Sequence, residues 1–413
     1  MKSRSLSRFL FLFFFLAVFF TLSTPSLSTS TDKARQFTRP LEFDYISWDI
    51  NAFITKIGQS GMNSWRILSD VQQHQLVMHY IDLTKQLEVL QIKIQQVYAD
   101  PSVIDPDAAA RDDLAQQKAL QTSIVSLTPL VESILQGQVT EILVEEGIAR
   151  LGSAVPPLLF HTTPLPKALI ASPRDSIQQE VNISLLADLT LEQINQLEGQ
   201  VEKATGESVL IVDVGGIGIY PTMVMRSSNF LWILDTIAHE WTHNYLTLRP
   251  LGLNYDTSPE LRTMNETAAS IAGNEISKKV YERYYPDFLS LIEEDQRLTS
   301  LRWPDATFDF RAEMHSTRVR VDELLAEGKI AEAEQYMEER RIRFVAQGYE
   351  IRKLNQAYFA FYGAYAATPG GAAGQDPVGP AVRTLREQSA SLADFLRTIG
   401  KMNSFDDLQI MLK

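Results

Sequence analysis

Three side chains in one short stretch of the sequence have the types and the spacing of a metal site. His239 and His243 are four residues apart in the run His-Glu-Trp-Thr-His, and residues four apart on a helix lie on the same face. Two imidazoles at that spacing suit one tetrahedral Zn²⁺ ion. Glu240 lies one step round the helix, where a carboxylate can accept a proton from an attacking water and return it to a leaving amine. The apolar residues of 231–238 favour a buried helix over a loop.

A catalytic zinc site usually has three protein ligands and an open position for water. The chain contains no cysteine, so the third ligand must be a histidine or a carboxylate. No further histidine follows closely, and Glu266 on the next predicted helix is the preferred candidate. Glu260 and Glu275 are the alternatives. Glu260 falls at a helix start, where a carboxylate often only balances the helix dipole, and Glu275 suits a solvated helix position.

Hydrolysis of a peptide bond also needs a hydrogen-bond donor for the developing oxyanion. The candidates are His315, Arg318, Tyr358 and Tyr362, all in the C-terminal part of the chain. Tyr358 and Tyr362 are the preferred pair, one turn apart on an aromatic helix. Aromatic clusters of this kind more commonly belong to a core than to a catalytic site.

The run 239–243, followed by Asn-Glu-Thr-Ala-Ala at 265–269, resembles the gluzincin branch of zinc metallopeptidases. The downstream segment of that family commonly reads Asn-Glu-x-x-Ala. The resemblance implies that His239, His243 and Glu266 bind zinc and that Glu240 is the general base. It also implies that a strand at Gly218–Met225 is an edge strand that pairs with the substrate backbone.

Two features depart from the family pattern. Some gluzincins carry an aspartate four residues beyond the third ligand, where it contacts a metal-binding histidine, and this chain has Ser270 there. Asp235, one turn before His239, is a candidate substitute. The Gly-x-Met-Glu-Asn motif of one exopeptidase group is missing, so an aminopeptidase assignment rests on a looser likeness. That likeness is between Thr317–Arg341 and bacterial predicted aminopeptidases.

The helices and strands expected to position these residues indicate a mainly α protein with a small β-sheet. We expect a zincin-like catalytic core at 153–286, between helical regions at 31–152 and 287–413. Two strands, 208–213 and 219–225, precede the helix of the histidine motif. Hydrophobic periodicity and the positions of proline and glycine predict the helices: 63–98, 107–136, 139–150, 176–205, 230–248, 261–284, 287–299, 308–326, 330–361 and 381–398.

The N-terminus has the layout of an export signal. Lys2, Arg4 and Arg8 precede the apolar run Phe9–Leu22, and a stretch rich in serine and threonine follows. The apolar run is shorter than the ~20 residues of a membrane span. Residues 1–30 are therefore expected to be a signal peptide or an N-terminal anchor. Either reading places the bulk of the chain outside the cytoplasm, secreted, periplasmic or anchored and facing outward.

The charge balance limits the partners. The formal net charge is −13, and an acidic surface repels nucleic acid and anionic lipid. We expect a peptide or protein substrate, no nucleic acid, and a membrane only if the N-terminal segment is retained as an anchor. The favoured function is an exported zinc-dependent peptidase. The alternative is a non-catalytic helical binding or scaffold protein with a structural or vestigial metal site, which the long N-terminal helices and the acidic surface would also suit.

Overall fold

The computed structural model describes residues 29–60, 64–99, 105–148, 154–288, 308–349, 351–363 and 377–413. These residues form a mainly helical protein with two small sheets of three strands, which confirms the predicted mainly α class. The leader at 1–30 and the helix at 287–299 fall almost entirely outside the described residues. No helix within the described ranges has the length and apolar character needed to cross a membrane.

The N-terminal region contains a helical hairpin. After α1 (Ser30–Thr38) and α2 (Tyr45–Ser60), the long helices α3 (Asp70–Ala99) and α5 (Arg111–Glu145) pack together, with the short α4 (Pro106–Ala109) between them. The separate helices predicted at 107–136 and 139–150 are wrong, because α5 runs through both. Gly137 lowers helix propensity by about 1 kcal/mol, but the buried residues around it, Leu135 and Val139, pack against the core and outweigh that cost.

The first sheet lies near the middle of the sequence and is antiparallel. Its strands are β2 (Lys167–Ser172), β3 (Val181–Leu185) and β4 (Ser208–Asp213), in the order β3-β2-β4. The helix predicted over 176–205 is wrong in its first part, which forms β3, and right in its second part, α6 (Leu191–Thr205). Val181, Ile183 and Leu185 are buried with Asn182 exposed between them, a period of two that marks a strand.

The second sheet lies beside the histidine helix and has the order β1-β6-β5. Its strands are β1 (Phe160–Thr162), β5 (Gly216–Ile217) and β6 (Thr222–Val224). The prediction that Gly218–Met225 is an edge strand is wrong, because β6 has neighbours on both sides. β1 joins it in parallel from far away in sequence, which local patterns do not reveal. The free edge next to the histidine helix belongs to β5.

Two helices form the centre of the molecule. α7 (Phe230–Thr247) begins after Asn229, whose side chain accepts a hydrogen bond from the Trp232 N–H. After the short α8 (Pro250–Leu253), α9 (Pro259–Tyr284) begins behind a Ser258 cap. Both long helices match their predicted ranges within two residues. They run antiparallel, and Gly273 lets them approach closely: a Cβ there would lie 2.9 Å from the Asp235 carbonyl oxygen and 3.2 Å from the His239 Cβ.

The C-terminal region is helical, with more breaks than predicted. It contains α10 (Phe310–Ala326), α11 (Ile330–Ala346), α12 (Gln356–Tyr362), α13 (Val378–Gln388), α14 (Leu392–Ile399) and α15 (Phe405–Met411). The single helix predicted over 330–361 is wrong, because Gly348 adopts a left-handed conformation after α11 and Asn355 caps α12. Ser391 caps α14 and likewise divides the helix predicted over 381–398.

Candidate metal centre

Helices α7 and α9 bring His239, His243 and Glu266 together, as the sequence predicts. The two imidazole Nε2 atoms are 3.1 Å apart. The Glu266 Oε2 atom lies 3.4 Å from the His239 Nε2 and 3.5 Å from the His243 Nε2. The two alternative carboxylates are elsewhere: Glu260 is exposed at the start of α9, and Glu275 forms a two-pronged ion pair with Arg386. These three side chains could therefore hold a metal ion.

The dimensions of this triangle fit a small divalent ion. A tetrahedral ion with bonds of about 2.0–2.1 Å holds its ligand atoms about 3.3–3.4 Å apart, close to the three separations between His239, His243 and Glu266. The Glu266 Oε2 is buried and accepts no hydrogen bond. A buried carboxylate oxygen without a hydrogen bond is costly, and a cation between it and the two Nε2 atoms would reduce that cost.

The outer nitrogens of both histidines have partners. The Nδ1–H of His243 donates to the Asn265 Oδ1 at 2.8 Å, because an amide oxygen only accepts, and the Nε2 of His243 is the nitrogen left to take a metal ion or a proton at the centre. The Nδ1 of His239 lies 3.3 Å from the Ser270 Oγ. Ser270 thus contacts the ring from the position where some gluzincins have an aspartate. Asp235, the suggested substitute, is largely buried, and burial raises the pKa of its carboxyl.

The electrostatics of the centre favour a positive charge. Burial works to raise the pKa of Glu266, but the two histidines outweigh it and hold that pKa well below its ordinary value. Burial works to lower the pKa of His243, and the Glu266 carboxylate outweighs it and raises that pKa to about 9. Glu266 therefore stays ionised and attracts either a proton to the imidazoles or a metal cation.

Tyr255 is a residue of this site that the sequence did not reveal. Its hydroxyl donates to the Glu266 Oε1, which leaves the other oxygen facing the histidines. The Arg262 Nε lies 3.4 Å from the same hydroxyl. Tyr255 follows α8 in the loop before α9, where no periodic pattern indicates the direction of a side chain. The only available signal was its place between the two helices that carry the ligands.

Glu240 lies beside the triangle under the free edge of the second sheet. A Cβ at Gly216 would be 2.6 Å from the Glu240 Oε1, and one at Gly218 would be 3.3 Å from the Oε2. Both glycines thus make room for the carboxylate at positions where a larger residue would collide with it. The side chain is buried, and this burial raises the pKa of Glu240.

The four candidate oxyanion donors are placed by other contacts. Tyr358 packs against Tyr362, with ring centroids 4.5 Å apart, and joins the apolar layer between α12 and the first sheet. Arg318 is paired with Asp322, and His315 lies with Arg320 on the outer side of α10. Among the described residues no hydrogen bond or ring contact joins either tyrosine to the three metal-site side chains. Their role stays a prediction.

A large cleft adjoins the centre on the Tyr255 side. Its volume is about 810 Å³, and its lining includes Tyr255, Glu260, Arg262, Arg318 and Asp322. The cleft is mostly polar and carries both signs of charge. It offers a space of ligand size and shares Tyr255 with the metal site, whereas its described lining includes neither the two histidines nor Glu266.

Comparisons with known proteins add no assignment to this geometry. No family model, no curated protein and no solved structure matches the chain. Function is therefore inferred from the side chains of the site alone.

Proposed function

We propose that the protein is an exported zinc-dependent peptidase with a zincin-like core formed by α7, α9 and the small sheet beside them. The observation that carries the proposal is the triangle of His239, His243 and Glu266 with Glu240 next to it. Two imidazoles and one carboxylate form a ligand set that suits zinc rather than magnesium or calcium, which prefer oxygen ligands. Three protein ligands leave a position open for chemistry.

A bound zinc ion would supply Lewis-acid polarisation of the scissile carbonyl and of water. The chain supplies the proton transfers and the orientation. The Glu240 carboxylate accepts the proton of the attacking water and then delivers it to the leaving amine. Gly216 and Gly218 keep β5 close above this carboxylate. Asn265 and Ser270 hold the two imidazole rings in place through their Nδ1 atoms.

The test separates metal binding from proton transfer. The full chain is purified as wild type, Glu240→Gln and His243→Ala, and each is assayed for bound zinc and for cleavage of a peptide library. Glu240→Gln is expected to keep the metal and to lose roughly 10²–10⁴-fold in kcat/KM, the usual contribution of a general base. His243→Ala is expected to lose both. Glu282→Gln, exposed near the end of α9 and outside the cleft, is the matched control.

Two outcomes would overturn parts of this proposal. Full activity in Glu240→Gln would remove Glu240 from the reaction. Cleavage that persists in His243→Ala without bound metal would remove the metal from it. The oxyanion role is tested with Tyr358→Phe and Tyr362→Phe, of which at least one is expected to lose roughly 10²–10³-fold in kcat.

A structural metal site in a binding or scaffold protein is the second proposal. The observation that favours it is burial: His239 is 9% exposed, Glu240 8% and Glu266 3%. A closed structural zinc site usually has four protein ligands, whereas the candidate group among the described residues has three. Stoichiometric zinc in the wild type without cleavage of any library peptide would favour the structural role.

A further inference from the structure

Helix α2 carries an exposed apolar stripe. Ile46, Ile50, Phe53 and Ile54 are 76%, 56%, 46% and 63% exposed. Their spacing of four, three and one places them on one face of the helix. Single exposed apolar residues are ordinary, but a contiguous set along one helix face marks an interaction surface.

The remainder of α2 accounts for the orientation of this stripe. Ala52 and Lys56 are buried on the opposite face, where the Lys56 ammonium pairs with Glu132 of α5. Asp49 is half-buried, and its Oδ1 is shielded from solvent. Over residues 45–56 the exposed face therefore combines apolar side chains with uncharged polar ones, on a protein whose formal net charge is −13.

The length of chain between the apolar run Phe9–Leu22 and the described residues indicates what can cover the stripe. Ser30, at the start of α1, donates to Glu180, and Tyr45, at the start of α2, donates to Ser184. These two anchor points are four residues apart along the β3 region, or about 13 Å. About eight residues join Leu22 to Ser30, enough for roughly 28 Å when extended. In the chain that retains the apolar run as an anchor, a lipid surface that holds this run is thus within reach of α2.

We propose that the exposed face of α2 binds the surface of a phospholipid bilayer next to the point where the apolar run 9–22 is held. An uncharged helix face with isoleucine and phenylalanine suits the boundary between headgroups and acyl chains. A second copy of the chain fits less well, because a stable dimer buries about 800 Å² on each partner, more than four partly exposed side chains supply. The inference is independent of the metal centre.

The absence of cysteine provides a site-specific test. The full chain with Ile50→Cys is labelled with an environment-sensitive fluorophore and reconstituted with phosphatidylcholine vesicles that contain a lipid-borne quencher. Emission is expected to shift to the blue and to be quenched. The matched control is Gln335→Cys, on the exposed side of α11, where emission is expected to remain that of a label in water. Adding Ile46→Asp and Ile54→Asp to the Ile50→Cys chain is expected to abolish both signals while circular dichroism stays unchanged.

Three results would overturn the proposal. The first is a label at Ile50→Cys that remains in water while the protein floats with the vesicles, since the N-terminal run alone would then account for binding. The second is a blue shift without lipid quenching and with a doubled mass, which would indicate a second copy. The third is a blue shift of the full chain without vesicles, which would indicate that the apolar run itself covers α2.

Discussion

Two buried carboxylates in this protein, Glu132 and Glu266, stand in contrasting surroundings. Glu132 is 1% exposed and Glu266 is 3% exposed. Each has histidine nearby: the His161 Nδ1 is 3.1 Å from the Glu132 Oε1, and two histidine Nε2 atoms face the Glu266 Oε2. Each lies on a long helix, Glu132 on α5 and Glu266 on α9.

The difference is the source of the compensating cation. The Lys56 ammonium binds one oxygen of Glu132, and the Thr162 N–H donates to the other at 2.6 Å. Glu266 has Tyr255 on one oxygen and no hydrogen bond on the other. The chain therefore neutralises Glu132 with its own lysine, whereas the surroundings of Glu266 fit a cation from solution. Comparable burial thus accompanies an internal ion pair in one place and the proposed metal site in the other.

The largest effect is expected when the buried ion pair between Lys56 and Glu132 is broken. Lys56→Met leaves the Glu132 carboxylate buried without its cation and is expected to cost about 3–5 kcal/mol of unfolding free energy. The double variant Lys56→Met with Glu132→Leu removes both charges and is expected to recover most of that loss. Urea unfolding is measured for the wild type, Lys56→Met, Glu132→Leu and the double variant. A double variant as unstable as the sum of the two single variants would contradict this account of Glu132.

The next-largest effect concerns Glu266, whose surroundings fit a cation from solution. Zinc at 100 times its Kd is expected to raise the unfolding free energy of the wild type by about 2.7 kcal/mol, and a chelator should remove that gain. Glu266→Gln is expected to lose the zinc response, whereas Lys56→Met is expected to keep it although it is less stable overall. An equal zinc response in wild type and Glu266→Gln would exclude Glu266 as a ligand.

The smallest effect is expected at Asn265 and Tyr255, which contact the candidate ligands His243 and Glu266. Asn265→Ala and Tyr255→Phe are each expected to weaken zinc affinity roughly 10–100-fold, because the His243 ring and the Glu266 carboxylate lose the contacts that orient them. Asn274→Ala, exposed on the same helix, is the matched control. Competition with a zinc-sensitive dye gives the affinities. Unchanged affinity in both variants would show that packing alone orients the ligands.

The part of the site that lies on one helix could be predicted from the sequence. The interval from His239 to His243 is a helical repeat, and Glu266 follows on a second helix whose start Ser258 and Pro259 mark. Both inferences depend on the spacing of residues along a helix, which can be seen in a short segment of the sequence. The antiparallel packing of α7 and α9 then brings the third side chain to the other two.

The remainder depends on contacts between distant segments. Tyr255 reaches Glu266 from a loop, and β5 covers Glu240 because β1 occupies the far side of β6. No local pattern encodes either arrangement. The helix errors have a similar cause: β3 forms where β2 offers it a partner, and α5 continues past Gly137 because the core accepts its apolar face.

Gly273 has a consequence for the selection of ions. Because this glycine allows two helix backbones to meet closely, main-chain packing sets the separation of the two helices that carry the candidate ligands. An ion that needs longer bonds would have to push α7 and α9 apart against their shared core. We therefore expect the rigid packing of α7 against α9 to exclude ions of larger radius. Gly273→Ala is expected to weaken this exclusion.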